Sequence, residues 1–244
     1  MISIIIPTYN AETYVKRCVT HLADIRMEGL EVVFVDGGSR DGTVDFLKGL
    51  ADERFQVLCR EGCGIYEAMN LGVGVARNDL LYFMGADDIP LASFFNGPPD
   101  RFSQGYDLYV GKVAVASEGG EVRIHGYVEP RLFRRISRGR YATPHHQAVI
   151  YHKSYFAKVG LFNEKLKICS DAEHLLRSRR RPDIRIAYLD EVLCRFRAGG
   201  TSSDFLRVWG ENMVIYAEIG DRSPVARSIY FVDSVLTAFR FLLG

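Results

Sequence analysis

The sequence predicts an α/β fold in which a mostly parallel sheet is flanked by helices and continues into a mixed, antiparallel half. Short all-apolar runs alternate with helix-periodic segments over about the first 90 residues, a pattern typical of a parallel sheet covered on both faces. Polar, glycine-rich loops follow three of these runs, at the edge where such sheets bind ligands. After Pro90 the residues alternate around Gly119-Gly120, which indicates an antiparallel hairpin.

The composition is that of a globular enzyme. The 244 residues are 48% hydrophobic and 25% charged, which excludes a disordered or fibrous chain. A net charge of +1 provides no general attraction for nucleic acid, so we expect no nucleic-acid partner. The five cysteines include no C-x-x-C pair and are expected to be reduced thiols in the cytosol. Residues 1–7 predict a buried strand rather than a signal peptide, and no apolar stretch is long enough to span a membrane.

Strand and helix follow one another through the first half. Strands are expected at Ser3–Ile6 (ended by Pro7), Val32–Val35, Phe55–Cys59 and Leu80–Met84, and helices at Glu12–Ile25, Thr43–Leu50 and Ile65–Ala76. The loops Pro7–Asn10, Asp36–Asp41 and Gly85–Asp88 then fall at the carboxyl ends of parallel strands. We therefore expect these three loops to converge on one crevice.

The second half mixes strands and helices less regularly. Strands are expected at Asp107–Ala116, Glu121–Val128, His146–Tyr151 and Ile184–Leu189, and helices at Ser170–Arg180 and Ser203–Ile219. No internal repeat or low-complexity linker separates the halves. One continuous core with a cleft is therefore expected.

Asp87 and Asp88 follow the last strand of the first half, at the edge where the loops converge. Carboxylates at a strand end suit a hard cation such as Mg²⁺ or Mn²⁺ that is shared with phosphate oxygens. A solvated turn or a helix cap is the alternative interpretation. Gly72 and Gly74 lie within a helix and no phosphate-binding glycine motif follows a strand, which argues against a dinucleotide oxidoreductase or a P-loop enzyme.

Four motifs occur in order over about residues 1–90. They are Pro7-Thr8-Tyr9-Asn10-Ala11-Glu12, Val35-Asp36-Gly37-Gly38-Ser39-x-Asp41-Gly42-Thr43, Gly64-Ile65-Tyr66-Glu67-Ala68-Met69-Asn70-x-Gly72 and Gly85-Ala86-Asp87-Asp88. Through them the chain resembles the family 2 glycosyltransferases, inverting enzymes with the nucleotide-sugar-binding fold called GT-A. The resemblance extends to about residue 200 through Pro144-His145-His146-Gln147, Gly160-Leu161-Phe162-Asn163-Glu164 and Ser170-Asp171-Ala172-Glu173.

The resemblance implies roles for the matching positions. Binding of the nucleotide sugar falls to Pro7, Tyr9, Asp36, Gly64, Asn70, Ala86 and Asp87. In this scheme Pro7 and Tyr9 pack against the base, and Asp36 accepts a hydrogen bond from the base N–H. Gly64 and Asn70 line the side of the diphosphate and donor sugar. Asp87 is the expected ligand of a Mg²⁺ or Mn²⁺ ion, with Asp88 as a spare metal-binding carboxylate.

Inversion needs a base on the face opposite the leaving group, to take the proton from the attacking hydroxyl. The resemblance implies Asp171 for this role. Glu173 is the alternative on another helix face, and Asp171 also suits the positive end of a helix dipole. Adjacent histidines in a strand point to opposite sides, so one of His145 and His146 is expected to touch acceptor or diphosphate and the other to be structural.

We expect residues 1–95 to form a nucleotide-sugar-binding half, residues 96–220 an acceptor-binding half of the same domain, and residues 221–244 an amphipathic helical tail. The tail is strongly apolar from Ser228 to Leu243. It is expected to pack on the domain, to pair with another subunit, or to lie in a membrane interface. The last case would bring a cytoplasmic enzyme to the inner face of the membrane.

The expected function is transfer of a sugar from a UDP- or GDP-linked donor to a hydroxyl of a glycan or lipid-linked acceptor, in the assembly of bacterial surface polysaccharide. A sugar nucleotidyltransferase is one alternative, although Pro7–Asn10 supplies no glycine-rich loop with a basic residue. A catalytically inactive nucleotide-binding member is another, because Gly85 stands where the first aspartate of the family motif often lies.

Overall fold

The computed structural model describes residues 1–98, 101–102, 105–116, 122–126, 143–178, 181–197 and 205–219. Within these ranges the strands are β1 (Ile2–Thr8), β2 (Glu31–Asp36), β3 (Phe55–Cys59), β4 (Leu80–Phe83), β5 (Ile89–Pro90), β6 (Leu108–Ala116), β7 (Val122–His125), β8 (Val149–His152) and β9 (Ile186–Arg197). The helices are α1 (Glu12–Ala23), α2 (Thr43–Lys48), α3 (Ile65–Val75), α4 (Ala92–Phe95), α5 (Lys153–Val159), α6 (Ser170–Ser178) and α7 (Phe205–Ile219).

All the described strands belong to one sheet. Its order is β3-β2-β1-β4-β8-β6-β9-β5, and β7 pairs with β6 off this path. The strands β3, β2, β1 and β4 are parallel, whereas β8 runs antiparallel to both of its neighbours, β4 and β6. The parallel first half and the mixed second half are therefore confirmed, and a single sheet joins them.

Both faces of the parallel part are covered, as its uninterrupted apolar strands predict. On one face Ile4 and Ile6 pack in a cluster with Val15 and Leu22 of α1. Ile5 points to the other face, where α3 approaches so closely that a Cβ on Gly72 would lie 2.4 Å from the Ile5 Cγ2 atom. Helices on both faces leave the carboxyl ends of the strands as the open edge of the sheet.

Several element bounds differ from the sequence prediction. Pro7 does not end β1, which continues to Thr8; β4 pairs with β1 only up to Ile5, so at Pro7 the strand is paired on one side, where a missing N–H is tolerated. A 3₁₀ turn at His146–Ala148 takes the place of the first half of a predicted strand. The strand β9 runs well beyond Leu189, and α4, α5 and β5 were not predicted.

The predicted tail, residues 221–244, lies outside the described residues, as does a segment with five arginines at residues 131–140. The division into residues 1–95 and 96–220 stays a prediction. Within the described ranges, no helix combines the length and the apolar character needed to cross a membrane.

Candidate active site

A pocket of about 630 Å³ opens at the carboxyl ends of β1 and β4. The predicted site residues that line it are Pro7, Tyr9, Gly64, Ala86, Asp87, Asp88, His146 and Asp171. The structure thus brings together the loops after β1, β3 and β4 with residues from far along the chain. Four predicted site residues do not line the pocket: Asp36, Asn70, His145 and Glu173.

Asp36 lies beneath the pocket, fully buried at the end of β2. Its carboxylate accepts hydrogen bonds from the hydroxyls of Thr8 (2.8 Å) and Ser39 (2.6 Å) and from the N–H groups of Gly38 (2.9 Å) and Ser39 (2.7 Å). Four donors occupy the acceptor sites that a carboxylate offers. Asp36 therefore fixes the loops after β1 and β2, and its expected role towards a nucleotide base stays a prediction.

Asn70 likewise has its polar atoms occupied by the protein. Its amide donates to the Phe162 carbonyl (3.0 Å) and to the Glu164 carboxylate (2.8 Å), and its oxygen accepts the Phe162 N–H (3.0 Å). These bonds join α3 to a segment some 90 residues away in the sequence. In this arrangement Asn70 connects two of the sequence motifs, and its expected role beside a diphosphate stays a prediction.

Asp87 and Asp88 have different environments although they are adjacent. Asp88 is 2% exposed, and its carboxylate accepts from the Gly85 N–H (2.8 Å), from Gln147 (3.2 Å) and from the Arg197 N–H (3.4 Å). Burial raises the pKa of Asp88 to about 7. Asp87 is half-buried and makes no hydrogen bond or ion pair within the described part of the chain. The two carboxylates thus separate into one that ties the protein together and one that faces the pocket.

The donor set suits a divalent ion only in combination with a substrate. The described residues contain no cluster of three or more His, Cys, Asp or Glu side chains that could hold a metal by itself. Mg²⁺ and similar ions are commonly held by one or two carboxylates together with phosphate oxygens and waters. Asp87 offers such a carboxylate, whereas the oxygens of Asp88 already accept three protein hydrogen bonds.

Asp171 lies in the first turn of α6, at the side of the pocket formed by the second half. The Tyr66 hydroxyl of α3 lies 3.1 Å from its Oδ1 atom and also contacts the Ile168 carbonyl. Burial, together with the nearby carboxylate, holds the pKa of Tyr66 well above its usual value. Tyr66 therefore stays protonated and orients Asp171, so that a contact across 105 residues of sequence connects the two halves at the pocket.

His146 and His145 have different surroundings, and a 3₁₀ turn rather than the predicted strand begins at His146. His146 lines the pocket and packs against Phe83 (ring centroids 5.6 Å apart). Its Nε2 atom is buried without a hydrogen-bond partner among the described residues, and burial lowers its pKa. His145 packs edge-on against Phe196 at 4.5 Å instead.

Glu173 does not line the pocket. It is 3% exposed and forms an ion pair of 2.7 Å with Arg177 one turn later on α6. Burial raises the pKa of Glu173 above its usual value. Of the two carboxylates that the sequence offers as a base, only Asp171 lines the pocket.

Lys167, Arg197 and Gln147 line the pocket and were not among the predicted site residues. Lys167 and Arg197 add positive charge, and Gln147 joins the pocket through its bond to Asp88. Lys167 Nζ would lie 3.8 Å from a Cβ placed on Gly64, so it stands over the first turn of α3. Lys167 and Arg197 belong to no sequence motif that indicates a binding residue. Gln147 belongs to the motif Pro144-His145-His146-Gln147, which was the available signal for it.

Known proteins are similar to this chain in sequence and in fold. The family model "Glycosyl transferase family 2" matches residues 3–167, about two thirds of the chain. The chain belongs to this family. It is similar to a PGL/p-HBAD biosynthesis glycosyltransferase of Mycobacterium bovis, with 28% identity over 214 residues that cover 84% of this chain and 79% of the relative. It is also similar to the putative glycosyltransferase EpsH of Bacillus subtilis, with 33% identity over 89 residues, 36% of this chain and 26% of that one.

Solved structures of glycosyltransferases confirm the predicted GT-A fold of this family 2 member. S. aureus TarS 1-349 in complex with UDP-GlcNAc superimposes with a TM-score of 0.67 at 19% identity, covering 94% of this chain and 70% of that one. The mannosyltransferase PcManGT from Pyrobaculum calidifontis, in complex with GDP-Man and Mn²⁺, gives 0.62 at 17% identity, covering 96% and 69%. At these identities the likeness supports the fold alone.

Proposed function

We propose that this glycosyltransferase transfers a sugar, with inversion, from a nucleoside diphosphate donor to a hydroxyl of a glycan or lipid-linked acceptor. The observation that carries the proposal is one pocket that holds Tyr9, Asp87 and Asp171 together. An exposed ring, an unengaged carboxylate and a second carboxylate across the pocket are what nucleotide binding, charge neutralisation and proton removal require.

The nucleotide is expected on the side of the pocket formed by the loops after β1 and β3. Tyr9 is 63% exposed and lines the pocket, so its ring offers a face on which a base can stack. Gly64 begins α3 without a side-chain cap, and Lys167 stands over that helix turn. The N–H groups of the turn and the lysine charge together suit diphosphate oxygens. TarS and PcManGT are described in complex with UDP-GlcNAc and with GDP-Man, which supports a donor of the UDP or GDP class.

Asp87 would hold a Mg²⁺ or Mn²⁺ ion together with the donor diphosphate. When bound, such an ion offsets the negative charge that develops on a departing nucleotide. Gly85 leaves room for this carboxylate, since a Cβ there would lie 2.7 Å from the Asp87 Oδ1 atom. The Mn²⁺ described with PcManGT supports a divalent ion in this fold.

Asp171 would take the proton from the attacking hydroxyl of the acceptor. The Tyr66 hydroxyl lies 3.1 Å from one of its oxygens, and the other oxygen makes no hydrogen bond within the described residues. Neutral His146, with its unpartnered Nε2 atom, can bind a substrate oxygen beside it. Attack from the face opposite the leaving nucleotide gives inversion at the anomeric carbon.

The acceptor is expected to be a growing glycan or a lipid-linked sugar in the assembly of bacterial surface polysaccharide. The M. bovis relative is named for PGL/p-HBAD biosynthesis, which supports a role in making a glycoconjugate. The reaction is expected in the cytoplasm, and contact with the inner face of the membrane or self-association through the apolar tail belongs to the same proposal.

The proposal is tested by screening UDP- and GDP-sugars, beginning with UDP-GlcNAc and GDP-mannose, for hydrolysis by the purified protein with Mn²⁺ or Mg²⁺. We expect one donor to release a nucleoside diphosphate, and water replaces the unknown acceptor in this assay. Release of pyrophosphate from a nucleoside triphosphate and a sugar phosphate would instead indicate a nucleotidyltransferase. Binding of UDP without turnover of any donor would indicate an inactive member of the fold.

The metal role is tested by calorimetry of UDP with and without Mn²⁺. We expect Mn²⁺ to tighten UDP binding at least about tenfold in the wild type, and Asp87→Ala to abolish that gain. Asp24→Ala, an exposed aspartate at the end of α1, is the matched control and should keep the gain. Equal, metal-independent binding in the wild type and in Asp87→Ala would remove the metal role.

A further inference from the structure

Glu211 of α7 holds the backbone that leads into the candidate base. Its carboxylate accepts three consecutive N–H groups: Lys167 at 2.6 Å, Ile168 at 2.9 Å and Cys169 at 2.8 Å. This run of N–H groups ends two residues before Asp171. One side chain from 40 residues further along the chain thus fixes the whole turn before α6.

The helix that carries Glu211 is itself packed against this turn. Ile215 of α7 is buried in a cluster with Leu166, Cys169 and Leu176. The Cys169 thiol also lies 3.9 Å from the Val208 carbonyl. These contacts fix α7 against the turn, and they thereby fix the position of the Glu211 carboxylate.

The same turn is held on its opposite side by α3. The Tyr66 hydroxyl contacts the Ile168 carbonyl and lies 3.1 Å from the Asp171 carboxylate. The Ile168 N–H is bound by Glu211 on one side and the Ile168 carbonyl by Tyr66 on the other, so this backbone has little freedom to rotate. The turn carries Lys167 and leads directly to Asp171, and both of these side chains line the pocket.

We propose that Glu211 is a positioning residue, which fixes the 167–169 backbone and thereby aims Asp171 at the acceptor hydroxyl. The inference rests on the proposed role of Asp171 as the base. Glu211 does not line the pocket and is not a catalytic residue. It acts through geometry, since a misplacement of about 1 Å of a reacting group can reduce a rate about 100-fold.

Glu211→Gln is the informative variant because it keeps the size of the side chain. A carboxylate can accept all three N–H groups, whereas the amide of glutamine has one acceptor oxygen and presents its own N–H₂ donors to the turn. At least one of the three N–H groups must then lose its partner. Glu218→Gln is the matched control, because Glu218 is exposed on the same helix and makes no hydrogen bond within the described residues.

The first measurement is amide hydrogen exchange, which needs no substrate. We expect Glu211→Gln to speed exchange at residues 167–169 at least about tenfold, while β1 and β2 exchange as in the wild type. Glu218→Gln should leave the turn protected. Unchanged exchange at residues 167–169 in Glu211→Gln would overturn the inference without any activity assay.

The second measurement is a double-mutant cycle on donor hydrolysis, with the best donor of the screen as the probe. We expect Glu211→Gln to lower kcat about 10- to 100-fold in the wild type, but less than about threefold in an Asp171→Asn background. UDP affinity should change less than about threefold, since Lys167 is the one group near the expected diphosphate that belongs to the turn. Equal kcat losses in both backgrounds would mean a general structural role and would refute the positioning role.

This inference and the proposed function fail in different ways. If Asp171→Asn keeps the full kcat, the base assignment is wrong, whatever Glu211 does. If Asp171→Asn is inactive while Glu211→Gln keeps the full kcat, the base stands and the positioning role is refuted.

Discussion

The two sides of the pocket are built differently. The N-terminal side consists of loops that follow parallel strands: Tyr9–Ala11 after β1, Gly37 after β2, Cys63 and Gly64 after β3, and Met84–Asp88 after β4. The C-terminal side consists of His146, Gln147, the turn from Lys167 to Asp171, and Arg197. Its residues are held by contacts such as Tyr66 to Asp171 and Glu211 to Cys169, which are distant in sequence.

The difference shows how binding and chemistry are divided in the protein. The N-terminal loops are fixed by their own strands and by local turns, as in the four bonds to Asp36. The C-terminal groups depend on helices α3, α6 and α7 packing correctly on one another. We therefore expect substitutions on the N-terminal side to change nucleotide affinity, and substitutions on the C-terminal side to change turnover.

The largest effect is expected for Asp171→Asn. An amide cannot accept the proton of an attacking hydroxyl, so kcat for donor hydrolysis should fall about 10³-fold. Calorimetric UDP affinity should stay within about twofold, because no N-terminal loop is altered. Glu173→Gln is the control, since Glu173 pairs with Arg177 outside the pocket, and it should keep most of kcat. A larger loss in Glu173→Gln than in Asp171→Asn would exchange the two assignments.

The second effect concerns the stability of the C-terminal side at acid pH. His174 is fully buried among Phe156, Phe162 and Tyr155, and burial lowers its pKa to about 3. The folded state therefore favours the neutral form of His174. As a result, the free energy of unfolding is highest above pH 6.5 and falls as the pH drops towards 3. Between pH 6.5 and 5 the expected loss is about 2 kcal/mol of unfolding free energy.

Urea unfolding at several pH values measures this loss. His174→Gln keeps a donor for the Gly160 carbonyl, which His174 contacts at 2.7 Å, but it does not titrate, so its unfolding free energy should fall about 2 kcal/mol less than that of the wild type. His21→Gln, at a half-exposed site on the N-terminal side, should retain the wild-type pH dependence. An identical pH slope in His174→Gln and the wild type would contradict the assignment.

The third effect tests nucleotide stacking on the N-terminal side. Tyr9→Ala removes an exposed ring, and stacking of a base on an aromatic side chain contributes about 1–3 kcal/mol. We expect UDP binding to weaken about tenfold while kcat at saturating donor changes little. Tyr9→Phe keeps the ring and should bind UDP as the wild type does. A selective loss of kcat would show that Tyr9 acts on the chemistry instead.

The smallest effect is expected for Tyr66→Phe, which removes one hydroxyl and keeps the ring. Its loss frees Asp171 and the Ile168 carbonyl from a shared partner, so we expect kcat to fall about fivefold. UDP affinity should be unchanged if the contact acts only on the C-terminal side. A tenfold loss of UDP affinity would show that Tyr66 affects both nucleotide binding and turnover, and it would contradict the separation of these two effects between the sides of the pocket.

The sequence predicts the N-terminal side well because its pattern is local. A strand, a polar loop and a helix follow one another, so this local pattern predicts that the loops after β1 and β4 lie at the same edge of the sheet. The family resemblance assigned Asp36 to a base, and that role stays a prediction, although Asp-Gly-Gly-Ser is also typical of a turn in which the aspartate bonds its own backbone. The structure shows that turn.

The C-terminal side was predicted less completely, since its geometry depends on long-range packing. Asp171 was assigned from a family motif, but nothing in the sequence connects it to Tyr66 or connects Glu211 to the turn at residues 167–169. The prediction for His145 and His146 relied on strand alternation that the 3₁₀ turn does not provide. The roles of Asn70 and Asp87 towards a donor stay predictions.

Gly85 limits how this loop can be exchanged with loops of other members of the family. A Cβ at position 85 would lie 2.7 Å from the Asp87 Oδ1 atom and 3.3 Å from the Asp88 Oδ2 atom. Gly85→Asp would therefore crowd the carboxylate that we propose binds the ion, unless Asp87 adopts another rotamer. Introducing an aspartate at position 85 therefore calls for exchange of the whole Gly85–Asp88 turn together with Gln147, which bonds Asp88, rather than for a single substitution.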